Sequence, residues 1–262
     1  FYRDDRAALK QKFGSLEAVA SFYGGLGPDT LLEQYRADLR RAVNLGARYV
    51  VFHVSDVSLE EGYTYRWLPT NQEVIDAAVE VVNLILGEER WPFEFLVENQ
   101  WWPGFTFTEP EETARLLEGI RFAGKGILLD TGHLMNACTE LKTEAEGADY
   151  IRSMLNRHGS LAKWVRGVHL HQSLSGAYVK ARTGLLPAGL PEDYGERFGV
   201  SYQHILQIDQ PRPWTDPAIL PVLEQIGPRY LTHELSSRGR MSRAEAMAAQ
   251  ARLFQQGGKM GV

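Results

Sequence analysis

The chain has 262 residues, 44% of them hydrophobic, a formal net charge of −5 and a single cysteine, Cys138. That length suits one large α/β domain, the acidic balance argues against a broad basic face for nucleic-acid phosphates, and a lone cysteine excludes an intrachain disulfide framework and fits a reducing, cytoplasmic setting. No apolar run approaches the roughly 20 residues of a membrane span, so no membrane partner is expected.

Residues 3–13, 16–23 and 28–45 read as helices, the third with Leu31, Leu32, Tyr35, Leu39, Ala42 and Val43 at helical spacing and Gly46 as its C-cap. The aromatic and β-branched run 47–53 follows as the first strand and ends in His53. A loop with Tyr63, Tyr65 and Trp67 leads to a helix over 71–86, with Thr70 as its N-cap. The second strand, 93–98, ends in Glu98, and an aromatic loop with Trp101 and Trp102 separates it from a helix over 109–120. In the third strand Ile127, Leu128 and Leu129 have the two-sided hydrophobicity of a buried parallel strand and stop at Asp130. His133 stands three residues after that acid, so two metal-capable groups leave one strand end together. The bland alternative is a capping Asp followed by a surface His.

A helix over 145–158 precedes the fourth strand, 165–171, which carries His169 and His171. Residues 172–215 are rich in Gly and Pro and read as irregular, apart from a strand-like pattern at 202–208; a connection of that length suggests a lid or binding loop. A short helix over 217–225, a fifth strand over 229–234 ending in Glu234, and a helix over 242–255 with Met247, Ala251 and Phe254 on one face complete the order.

Each strand thus ends at or near a group able to bind a metal: His53, Glu98, Asp130, His169 and Glu234. In a (β/α)8 barrel of TIM type the strands are parallel and their C-terminal ends share one mouth, where side chains from separate strands can meet around one ligand. A doubly wound sheet spreads its strand ends along a line and often opens with a Gly-rich phosphate loop, which is absent here. The expected architecture is a single TIM-barrel domain over 1–262 with about five βα units visible. Because closure needs eight strands, the first strands are expected to lie upstream of Phe1, or else an open barrel is completed by a partner chain.

Four stretches, Leu-Val-Glu-Asn at 96–99, Leu-Asp-Thr-Gly-His at 129–133, Val-His-Leu-His at 168–171 and Thr-His-Glu at 232–234, resemble in order and spacing the xylose-isomerase-like barrel superfamily, which includes sugar (phosphate) isomerases and epimerases and the endonuclease IV group. The resemblance implies a divalent ion held by Glu98, Asp130, His169 and Glu234, with Glu98 and Glu234 also moving a proton and His133 positioning a substrate oxygen. A mixed carboxylate and imidazole set suits Mn²⁺, Mg²⁺, Co²⁺ or Zn²⁺. His53 is a second-metal ligand or a substrate contact. Members of the endonuclease IV group also use an Asp-x-His pair, where this chain has Asp209-Gln210-Pro211, and a proline side chain cannot ligate.

Trp101 and Trp102 are a stacking platform for a sugar or a nucleobase, or else core. His171 is structural or a substrate contact, His233 should face outward by alternation, and His158 at a helix end is a favourable charge against the dipole. The function expected is a metal-dependent sugar or sugar-phosphate isomerase or epimerase. The alternatives are an endonuclease IV-like phosphodiesterase and a non-catalytic sugar- or metal-binding barrel.

Overall fold

Capping chemistry starts most of the helices, and the strands between them assemble in chain order into one parallel sheet. The computed structural model describes residues 5–237 and 239–256. Three helices open it: α1 (Arg6–Phe13), α2 (Leu16–Tyr23) and α3 (Asp29–Asn44). Residues 3–4 of the expected first helix lie outside the described residues. There follow β1 (Tyr49–His53), α4 (Leu59–Thr64), α5 (Asn71–Leu86), β2 (Glu94–Glu98), α6 (Pro110–Gly119), β3 (Lys125–Asp130), α7 (Thr131–Asn136) and α8 (Glu144–His158). The order ends with β4 (Val165–His169), α9 (Gly176–Arg182), α10 (Tyr194–Ile205), α11 (Leu220–Ile226), β5 (Tyr230–Thr232) and α12 (Arg240–Gln256).

Thr70 caps α5 and Thr143 caps α8, each in a reciprocal capping box with the Glu three residues on, Glu73 and Glu146. These boxes satisfy backbone N–H groups that the first helical turn cannot pair.

The sheet has the order β1-β2-β3-β4-β5, every pair parallel, and forms a half-barrel with helices packed outside it. Alternation along each strand divides the side chains between two environments. Phe95, Val97, Ile127, Leu129 and Val168 join the main core beneath the helices, together with Val82, Ile85, Leu116, Ile151 and Leu155. On the concave side Leu96 and Leu128 are fully buried and meet across Gly167, where an added Cβ would stand 2.9 Å from Leu128. Above that apolar layer, towards the C-terminal strand ends, stand the charged residues. The curvature brings the outer strands near each other: the Tyr49 and Tyr230 rings lie 4.4 Å apart, and the Tyr49 hydroxyl is 3.0 Å from Thr232 Oγ1.

The structure corrects the expectations in three places. Residues 202–208 fall largely within α10 rather than in a strand, because Asp193 caps a helix there by accepting from the Glu196 N–H. The rest of 172–215 is less irregular than its Gly and Pro content suggested, since it also holds α9. His158 is buried at 3% exposure, with its ring stacked 3.9 Å from Phe107 and its nitrogens against Thr113 Oγ1 at 2.9 Å and Met154 O at 2.7 Å. Burial lowers its pKa, so it is a neutral packing residue rather than a charge on a helix dipole.

Candidate metal centre

Strand register is what brings the titratable residues to one height. His53 stands opposite Glu98 across β1 and β2, and Asp130 opposite His169 across β3 and β4; β3 runs two residues past β2, where Glu98 pairs with Leu128, and this stagger together with the curvature gathers the last residues of four strands. Glu234 follows β5 by two residues and reaches the same place, its Oε2 lying 2.7 Å from His169 Nδ1.

The contacts form one connected cluster. His169 Nδ1 is 3.6 Å from Glu98 Oε2 and 3.8 Å from Asp130 Oδ2. Glu98 also faces His53 Nε2 at 3.2 Å and His133 Nδ1 at 3.2 Å. His133 in turn places Nε2 3.6 Å from Asp209 Oδ2. Glu98 and Asp130 are essentially inaccessible to solvent, whereas the His53 side chain is 63% exposed and marks the open side of the cluster.

Burial would favour neutral carboxyls, yet the surrounding imidazoles outweigh it. The His133, His169 and His53 rings hold Glu98 far below the usual carboxylate range. Burial alone would likewise depress His169, but Glu234 and Glu98 beside it raise its pKa to about 10. Without an ion, a proton on the imidazole balances the carboxylates.

The donor set fits a divalent ion. Glu98 Oε2, His169 Nδ1 and Glu234 Oε2 are all buried and none makes a properly angled hydrogen bond, so close polar atoms face one another unsatisfied. Buried polar atoms seldom remain so, and a cation among them would satisfy all three. The ligand atoms of Glu98, Asp130 and His169 lie within 4.8 Å of one another, and those of Asp130, His133 and His171 form a second such group.

Several neighbours hold these groups in place. The Asn99 amide accepts from the Asp130 N–H at 2.8 Å and donates to the Asp130 carbonyl at 3.1 Å, clamping the end of β2 to the end of β3. Asp130 is the N-cap of α7 and accepts from the His133 N–H at 2.6 Å, so the capping reading and the cluster reading hold for the same residue. His171, fully buried, sets Nε2 2.9 Å from the Asp130 carboxylate. His133 Nδ1 lies among Asn99 O at 3.0 Å, Gln100 Nε2 at 3.1 Å and Glu98 Oε1 at 3.2 Å, contacts that fix the ring and turn Nε2 towards Asp209.

The aromatic residues divide. Trp101 is buried at 8% exposure, packed with Val179 and Ile208 and 5.0 Å from the His133 ring, so most of it faces protein rather than a ligand. Trp102 is only half-buried, 4.4 Å from Trp101. Their loop returns to the sheet at Gly104, whose φ of 129° and whose separation from Val54 O, 2.3 Å from an added Cβ, admit no side chain. His233 lies away from the cluster, its Nδ1 2.6 Å from Gln250 Nε2.

Sequence reasoning missed the Asn99 clamp and the His171–Asp130 contact. Both are polar side chains one or two positions from an expected ligand, and that adjacency was the only available signal.

The family described as a xylose isomerase-like TIM barrel matches residues 6–254. Endonuclease IV from Thermus thermophilus is similar in structure with a TM-score of 0.51 at 17% identity, covering 87% of this chain and 70% of that one. A D-tagatose 3-epimerase-like protein gives a TM-score of 0.48 at 16% identity, covering 86% and 68%. No curated protein matches the chain significantly. At such identities the structural likeness concerns the fold.

Proposed function

Because the chain belongs to the xylose isomerase-like TIM barrel family, we propose that it is a divalent-metal-dependent isomerase or epimerase acting on a sugar or sugar phosphate. The observation that carries this reading is that two glutamates from strands far apart in the sheet, Glu98 and Glu234, approach the same atom, His169 Nδ1, at 3.6 and 2.7 Å. Two carboxylates converging on one point suit the removal and return of a proton on a single substrate carbon.

Glu98, Asp130, His169 and Glu234 would hold Mn²⁺, Mg²⁺, Co²⁺ or Zn²⁺. The bound ion would polarise a substrate carbonyl or hydroxyl oxygen and lower the cost of charge developing there. Glu98, kept ionised by its three imidazoles, takes the proton from the carbon beside the carbonyl, and the electron pair of that C–H bond moves towards the carbonyl oxygen. Glu234, with 39% of its side chain exposed, returns a proton to the same or the adjacent carbon. His133 orients a substrate oxygen, His53 on the open side contacts substrate, and Trp102 covers a C–H face of the sugar ring.

The test is a panel of keto-sugars and their phosphates in deuterated water with added Mn²⁺. Deuterium entering the carbon next to the carbonyl, lost in Glu98→Gln, supports the reading. A panel without exchange at any substrate overturns it.

A second reading, a metal-dependent phosphodiesterase, draws on His53 and His133 flanking Glu98 and on Asp209 near His133, which together offer donors for a further ion. Pro211 takes the place of a ligand in that set. Nicking of abasic DNA, without sugar exchange, would favour this alternative. Sugar binding by both wild type and Glu98→Gln, without turnover by either, would favour a non-catalytic binder.

A further inference from the structure

The opposite end of the half-barrel has a pattern of its own. An arginine stands at the foot of every strand: Arg48 before β1, Arg90 before β2, Arg121 before β3, Arg166 within β4 and Arg229 before β5. Four of them, all but Arg166, line an open cavity of about 720 Å³ beneath the sheet. That volume is in the range of small-molecule sites.

The charges around this cavity are not balanced locally. Glu94 accepts from both Arg166 Nη1 at 2.8 Å and Arg229 Nη1 at 2.9 Å, so one carboxylate serves two guanidiniums. Arg48, Arg90 and Arg121 make no ion pair among the described residues. With Glu88 and Glu89 the cavity lining holds four guanidiniums against three carboxylates, an excess of positive charge in a chain whose net charge is −5. Like charges gathered around a concavity focus a positive potential into it. Trp91 and Phe122 add half-buried aromatic walls.

We propose that this cavity is a second ligand site, one that takes a phosphate-bearing small molecule. Arginine forks match phosphate oxygens bidentately, and three guanidiniums without an acid partner give a multiply charged anion what the protein does not. The site is separate from the metal centre. Glu94 and Glu98 mark the two ends of β2, and four residues of extended chain set them about 13 Å apart. In barrels of this type the N-terminal face ordinarily serves stability, so this cluster is not explained by the chemistry at the mouth.

The test uses the full chain, treated with chelator to free the metal centre, and calorimetric titration with inorganic pyrophosphate at low salt. Binding at one site that weakens as salt is raised is the expected result. Replacing two of the lining arginines that make no ion pair among the described residues, Arg90→Ala with Arg121→Ala, lowers the affinity by about tenfold or more, while Arg152→Ala on α8 and Glu98→Gln leave it unchanged. No binding at millimolar pyrophosphate, equal binding by the double variant, or loss of binding in Glu98→Gln each overturns the proposal. A thermal melt of the double variant matching wild type shows that a loss of affinity is not a loss of fold.

Discussion

His171 Nε2 lies 2.9 Å from the carboxylate of Asp130, a position open to it because residue 132 is glycine: a Cβ there would stand 2.0 Å from the His171 ring. The imidazole thus fixes which way the Asp130 oxygens turn, without itself needing to touch an ion. His171→Ala and Gly132→Ala should both weaken Mn²⁺ binding by about 10- to 100-fold, the usual effect of losing a group that orients a metal ligand. Titration calorimetry measures this, and unchanged affinity in both variants would refute the orienting role.

His169 is raised to about 10 by Glu234 and Glu98, against the opposing effect of burial. A histidine whose folded pKa lies above its unfolded value contributes stability that is fully present below the unfolded pKa, near 6.5, and is lost as pH rises through about 10. In chelator-treated protein, proton NMR of the imidazole ring should follow this titration. Glu98→Gln and Glu234→Gln should each lower it by about one unit or more. Addition of Zn²⁺ should displace the proton and release it to solvent.

His158 shifts the other way. Its folded pKa lies below its ordinary value, so the unfolded chain binds the proton more readily, and stability falls as pH drops from 6.5 through the folded value. Melting temperature should therefore decline between about pH 7 and 5, and His158→Gln should flatten part of that decline. A wild-type slope retained in full by the variant would exclude His158 as its source.

Trp214, fully buried in the connection between α10 and α11, donates its backbone N–H to Gln250 Oε1 at 2.9 Å and packs against the main core. Trp214→Ala should cost about 3–5 kcal/mol by lost burial and cavity formation. Chemical denaturation gives the value, and a loss below about 1 kcal/mol would mean that the core closes over the gap.

Local pattern made much of the architecture legible. Val97, Ile127, Leu129 and Val168 announced buried parallel strands, Thr70 announced a helix start, and the recurrence of a ligand-capable residue at each strand end announced a common mouth. The α10 segment was misread because Tyr202–Ile208 alternates like a strand over too few residues to separate the two periods, while the Asp193 cap that decides for helix lies nine residues upstream of Tyr202. His158 was misread because a polar residue at a helix end carries no mark of the Phe107 ring that covers it.

By itself the sequence determined strand order, strand direction and the residue types delivered to each strand end, since these follow from periodicity and caps that act within one turn or one strand. Only the tertiary structure decided which of those side chains meet. Glu98 faces three histidines, His171 turns towards Asp130 rather than outward, and five arginines gather at the other end of the sheet. Register and curvature set such distances, and both arise from packing between segments tens of residues apart, a sum of contacts that no local window contains.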